Sequence, residues 1–261
     1  MLLTEPQPTP YDLRFSLLGF PVRISPWFWL VSVLLGGRLF SQGTEQNTGT
    51  LLLIWVGVVL VSILVHELGH AFAFRHFGTS CEIVLYQFGG LAIPNAYESV
   101  WQTRARDPRQ QVLISAAGPA AQIASALIVA ALVRASGHAV PSIGGIAGAI
   151  LPFRGGQPLP SFAANFLVDF YLYVSIYWAL LNLVPVYPLD GGQIARSLFM
   201  LYGGGDAVRK SLMLSVMASG GMAFYGLATG NLLLVLMFAS LGYSSYQMMN
   251  QFGGGYGGGT W

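Results

Sequence analysis

Residues 66 to 70 read His-Glu-Leu-Gly-His and interrupt an apolar run from Leu51 to Phe74 whose one formal charge is Glu67. Residues four apart on a helix sit about 40° apart around its axis, so both imidazoles can reach one point beside it. A histidine pair at that spacing, with a glutamate after the first, is a zinc-binding arrangement. Glu67 stands where a carboxylate can take a proton from water and hand it to a leaving amine. The chemistry expected is hydrolysis of an amide, for which zinc lowers the pKa of water toward about 7. An ionisable group deep in an apolar helix costs roughly 2.5–3.5 kcal/mol on insertion scales, so its presence points to function.

Two histidines leave such a zinc one protein ligand short. The chain offers Asp190, His76, Asp169, Cys81 and His138. Asp190 lies in NLVPVYPLDGG, residues 182–192, where Pro185 and Pro188 break the preceding helix and let the chain bend inward. Gly191 and Gly192 permit close approach of other backbone. The aspartate also suits a helix N-cap after the kink, a role compatible with ligation. His76 is the rival, because HELGHAFAFRH gives it the third-histidine spacing of HExxHxxGxxH. The turning glycine of that pattern is Ala73 here, and on an unbroken helix His76 points about 120° from the ligand face. Asp169 falls near the outer end of its helix, His138 falls in an external loop, and Cys81 reads as a small buried apolar residue.

These residues need a scaffold in lipid. The chain has 261 residues, 54% hydrophobic and 8% charged, with mean hydropathy +0.60. A soluble domain carries about 25% charged residues, so a membrane protein is expected. A formal net charge of +2 excludes the strongly basic surface of a nucleic-acid binder. One cysteine excludes an internal disulfide and a Cys-rich zinc site. Met1 to Asp12 is polar and proline-rich, so no cleavable signal peptide is expected.

Six apolar segments are legible: 26–40, 51–74, 112–133, 166–184, 211–229 and 232–249, the last two joined by a Gly230-Asn231 turn. The expected fold is an all-α polytopic membrane protein of about six transmembrane helices, in a single domain over 1–261 with its catalytic core at about 51–200. Nine basic residues (Arg14, Arg23, Arg75, Arg104, Arg106, Arg109, Arg196, Arg209, Lys210) fall toward one face and three (Arg38, Arg134, Arg154) toward the other. That asymmetry puts both termini in the cytoplasm, with the cell (inner) membrane as the expected location. Residues 82–95, EIVLYQFGGLAIPN, are too short to span and carry a glycine pair, so they read as a β-hairpin dipping into the membrane. Its edges must line protein rather than lipid, and residues 13–24 read as a second hairpin pairing with it. An external loop is expected at 136–161 and a flexible glycine-rich tail at 252–261.

The four blocks HELGHAFAFRHFG, IVLYQFGGLAIP, AAGPAAQ and NLVPVYPLDGGQ, spread over about half the chain, resemble the site-2 protease family of intramembrane zinc proteases. The resemblance implies one zinc ion held by His66, His70 and Asp190, with Glu67 as catalytic acid/base. It further implies that Phe88, Gly89 and Gly90 help to receive substrate and that Asn182 lies close to the site. Gln122 stands where the family usually has Asn, and a donor to the substrate or oxyanion is expected of it. No PDZ or CBS module is legible, so the chain reads as a minimal catalytic core. The implied function is hydrolysis of a peptide bond in or near a transmembrane segment of a membrane protein, for regulated proteolysis or clearance of signal-peptide remnants. The contrasting reading is a catalytically silent membrane binding protein or metal carrier with the same fold, which would have no use for Glu67.

Overall fold

The computed structural model of the chain describes residues 7–37, 48–87, 89–94, 107–140 and 157–253. They fall into two compact units, Leu2–Thr103 with Ala117–Leu180, and Arg104–Ala116 with Leu181–Trp261.

The first unit opens with β1 (Leu13–Leu17) and β2 (Phe20–Ile24), joined by Leu18 and Gly19 at φ 51° and 83°. Two consecutive left-handed residues make the type I′ turn that matches strand twist. After α1 (Pro26–Leu35) and α2 (Thr48–His76) comes a second hairpin, β3 (Cys81–Tyr86) and β4 (Gly89–Pro94). The sheet runs β1-β2-β3-β4, with β2 parallel to β3 in the register Val22↔Ile83 and both hairpins antiparallel. Both expected hairpins therefore form, and they pair. Ile83, Val84 and Leu85 are each fully buried, so β3 is covered on both faces.

The first apolar segment folds differently from a spanning helix. α1 has ten residues, about 15 Å of rise against a hydrocarbon core of about 30 Å. Its start is tied to the sheet by the Ser25 amide donating to the Leu85 carbonyl at 2.9 Å. Leu85 pairs with Gly90, and Gly90 packs against Glu67 of α2. At its far end, Trp55 of α2 donates from Nε1 to the Ser32 carbonyl at 2.9 Å, and Gly36 packs on the same indole. The chain thus runs beside α2 from the level of Glu67 to that of Trp55, about 18 Å of helix.

α3 (Pro108–Ala135), from Ala117 onward, packs on α2 through small residues. A Cβ on Gly69 would overlap the Ala117 carbonyl and stand 2.9 Å from Ala121 Cβ. Close approach through Gly and Ala is how membrane helices gain contact without a hydrophobic drive between them. Ala126, Ala130 and Val133 of α3 then pack on Val168, Leu172 and Ile176 of α4 (Phe162–Asn182).

The second unit holds α5 (Asp190–Tyr202), α6 (Ala207–Ala228) and α7 (Leu232–Gly253). Gly230 turns at φ 68° in the expected Gly230-Asn231 turn, and Asn231 Oδ1 accepts from the Leu234 amide at 3.2 Å, capping α7. Gly242 meets Ser219 across the α6–α7 contact, and Phe238 and Leu212 are fully buried. Among the described residues, five helices are long and apolar enough to cross a membrane: α2, α3, α4, α6 and α7. The chain is a multi-pass membrane protein. Phe88, Arg38, Arg104, Arg106, Arg154, most of the 136–161 loop and nearly all of the tail lie outside the described residues.

Candidate active site

α2 carries His66, Glu67 and His70 to buried positions, 3%, 4% and 7% exposed. The imidazoles stand edge to face with centroids 4.7 Å apart, and their Nε2 atoms are 3.1 Å apart. Two nitrogens bound tetrahedrally at about 2.0–2.1 Å from one zinc would be about 3.3 Å apart. The pair is spaced as ligands are.

The neighbouring blocks hold these side chains in place. Gly118 of α3 lies so close to His70 that a Cβ there would overlap the ring, so the Gly-Pro block brings α3 onto the second histidine. One turn further on, Gln122 is fully buried, with Oε1 3.0 Å from His66 Nδ1. Its Nε2 donates to the Ser62 carbonyl at 3.2 Å and to Ser62 Oγ at 2.8 Å. The amide nitrogen of Gln122 is thus directed at Ser62. Ser62 Oγ in turn lies 3.0 Å from Ser175 Oγ of α4. The sequence reading passed over Ser62 and Ser175, although Ser62 sits four residues before His66, on the same helical face as both histidines.

The hairpin glycines have separate reasons. Gly89 adopts φ 124°, where L side chains rarely go, and a Cβ there would stand 2.8 Å from Trp178 Cζ2. Gly90 lies in ordinary extended backbone, but a Cβ there would collide with the Glu67 side chain. β4 therefore lays bare backbone against the carboxylate. Cys81 at the base of β3 is buried.

In the second unit, Asp190 is the first residue of α5, 7% exposed. The cap position is Leu189, so the aspartate is not the N-cap that the proline kink also allowed. A carboxylate in the first turn interacts favourably with the helix dipole. A Cβ on Gly191 would overlap the Leu183 carbonyl, and one on Gly192 the backbone of Val186 and Tyr187, so the glycine pair lets α5 start tight against the broken segment. That segment is pinned where the Tyr187 amide donates to Ser215 Oγ at 3.0 Å and Gln193 Nε2 donates to the Pro188 carbonyl at 3.1 Å. Gln111 Nε2 donates to Gln193 Oε1 at 2.9 Å. Asn182 is the last residue of α4 and is half-buried.

His66 and His70 of the first unit and Asp190 of the second, all buried, are the candidate ligand group. Two imidazoles and a carboxylate are a donor set that suits zinc. Among the described residues His76, Asp169, Cys81 and His138 do not join it: His76 is exposed against Phe77, and Asp169 is exposed on α4.

Residues 54–224 match the model of Peptidase family M50. The chain is 26% identical over 224 residues to protein sll0528 of Synechocystis sp., covering 83% of this chain and 51% of that one. It is 24% identical over 238 residues to the zinc metalloprotease MJ0392 of Methanocaldococcus jannaschii, covering 87% and 57%. The chain thus spans about half the length of the curated relatives it matches. Among solved structures, the site-2 protease from Methanocaldococcus jannaschii superposes with a TM-score of 0.55 at 21% identity, over 92% of this chain and 95% of that one. At that identity the likeness speaks for the fold.

Proposed function

The chain belongs to peptidase family M50, and from that membership we propose that it is a zinc metalloendopeptidase that cuts a transmembrane segment of another membrane protein. The observation that carries the reading is the buried pair of histidine Nε2 atoms 3.1 Å apart, with Glu67 next in the chain and backbone of β4 laid against it. His66, His70 and Asp190 would hold one zinc per chain. When bound, zinc supplies a Lewis acid that polarises the scissile carbonyl and makes water a nucleophile near neutral pH.

Glu67 has the proton work. Its carboxylate takes a proton from the attacking water and returns it to the leaving amine. A peptide bond inside a helix is covered by its own hydrogen bonds, so the substrate must be extended locally. Among the described residues β4 is an edge of the sheet, and an extended segment added there would lie along Gly89–Pro94 with its backbone beside Glu67. Phe88, Gly89, Gly90 and Asn182 are proposed to meet that segment. His66 lies ten residues from the C-terminal end of α2, about 15 Å. With the basic face taken as cytoplasmic, the proposed cut would lie about 15 Å from the cytoplasmic end of α2, roughly half the depth of a hydrocarbon core of about 30 Å. Release of a regulator or clearance of a signal-peptide remnant are the outcomes such a cut serves.

The test compares the proteomes of membranes holding the active chain and its Glu67→Gln variant. Membrane-segment fragments present only with the active chain support the reading. Identical fragment sets, with zinc bound in both, would leave a metal-holding protein without protease activity.

A further inference from the structure

The buried chain of hydrogen bonds behind His66 fixes more than a ring position. The Ser62 backbone carbonyl carries no proton, so the Gln122 end that faces it at 3.2 Å must be the amide nitrogen. The same nitrogen lies 2.8 Å from Ser62 Oγ, which Ser175 Oγ approaches at 3.0 Å from α4. With the amide so oriented, the atom facing His66 Nδ1 at 3.0 Å is Oε1, which has lone pairs only. That contact is attractive when Nδ1 carries the proton. A neutral imidazole has one N–H, so His66 Nε2 keeps its lone pair, and Nε2 is the atom directed at His70 Nε2. A ring of the opposite tautomer would set a lone pair against Oε1 and a proton where the ligand lone pair belongs.

We propose that Gln122 is a positioning residue for zinc, holding His66 as the Nδ1–H tautomer with Nε2 presented to the metal, and that Ser62 and Ser175 lock the amide in the required orientation. The inference rests on the zinc-protease reading above. It gives Gln122 a role facing the metal ligand rather than the substrate. All four side chains are 3% exposed or less, so no solvent competes for these bonds. Loss of such an outer partner typically lowers metal affinity about 10–100-fold.

The experiment measures zinc affinity by chelator competition on the purified full chain in detergent, for wild type, Gln122→Met and Gln122→Glu. Met keeps the volume and removes the acceptor, whereas a buried, protonated Glu keeps an acceptor for Nδ1–H and an O–H donor for the Ser62 carbonyl. Gln122→Met should bind zinc about 10–100-fold more weakly and Gln122→Glu should recover much of the loss. Ring-15N spectra supply a second readout, practical because the chain has four histidines. One of them in the metal-free wild type should show an Nδ1–H ring that Gln122→Met loses. If Gln122→Met does not fold, Ser62→Ala and Ser175→Ala carry the test, each expected to weaken zinc binding about two- to tenfold. Wild-type affinity and unchanged spectra in Gln122→Met, or a raised KM with zinc affinity intact, would overturn the inference and leave the protease reading standing. A wild-type chain that binds no zinc would overturn that reading itself.

Discussion

Replacing Gly90 with alanine should displace the Glu67 carboxylate, the proposed proton carrier, while sparing the proposed metal ligands. An added Cβ would stand 2.5 Å from Glu67 Oε1 and 2.6 Å from Cδ, where ordinary contact begins at 3.4 Å. The carboxylate must therefore retreat by about 0.8–0.9 Å, since β4 is held by its pairing with β3. Glu67 can yield by rotating its side chain, so the cost in stability should sit at the low end for overpacking, about 1 kcal/mol. For a chain of this size that is a fall of about 2–4 °C in Tm. Catalysis is less tolerant, because a misplacement of about 1 Å can cost about 10²-fold in rate. The three atoms nearest the new methyl all belong to Glu67, so zinc content should stay at the wild-type level. Purified wild type and Gly90→Ala would be compared for zinc content, thermal midpoint and cleavage of a transmembrane reporter peptide. Wild-type turnover in Gly90→Ala would refute the placement of Glu67 against β4. Loss of zinc would refute the separation of Glu67 from the ligand set.

Asp190→Ala should lower zinc content while His76→Ala leaves it near wild type, as read by elemental analysis of the purified variants; the reverse would favour a three-histidine site. Burial by itself would raise the Asp12 carboxyl, but hydrogen bonds from the Thr9 hydroxyl and amide and from Arg23 outweigh it and hold the group below 3.8. Because the folded value is the lower one, this clamp contributes stability above pH 3.8 that is lost as pH falls through the folded-state value, and Asp12→Asn should flatten that acid limb in a thermal-midpoint profile. With Cys81 replaced, a cysteine at Arg75 should react with an impermeant thiol reagent from the cytoplasmic side and one at Ser161 from the outside; opposite labelling would invert the orientation.

The histidine pair was legible because i and i+4 on a helix fix their mutual placement without help from the rest of the fold. The apolar runs were legible for a similar reason: α2 at Thr48–His76 brackets the expected 51–74 and α7 at Leu232–Gly253 the expected 232–249. The length of the first helix was less legible, because an apolar run does not say how much of it is helical: the described part of 26–40 has ten helical residues, Pro26–Leu35. The orientation of Gln122 was not legible because it is set by the Ser62 carbonyl, 60 residues away. A helix after the proline kink was allowed for, and it starts one residue earlier than an Asp190 cap implies, with Ile194, Leu198 and Leu201 at helical spacing. Gly90 was read as part of a substrate hairpin, while its contact with Glu67 depends on how β4 packs on α2.

The most direct measurement is mass spectrometry of the products when the full chain, reconstituted in lipid vesicles with a transmembrane reporter peptide, is stripped of metal and then given zinc. A zinc protease with Glu67 as its acid/base should give fragments ending within the reporter's membrane segment, absent after stripping, restored by zinc, and absent throughout in Glu67→Gln. Fragments that persist without zinc or form equally in Glu67→Gln, or an intact reporter at full zinc occupancy, would contradict it.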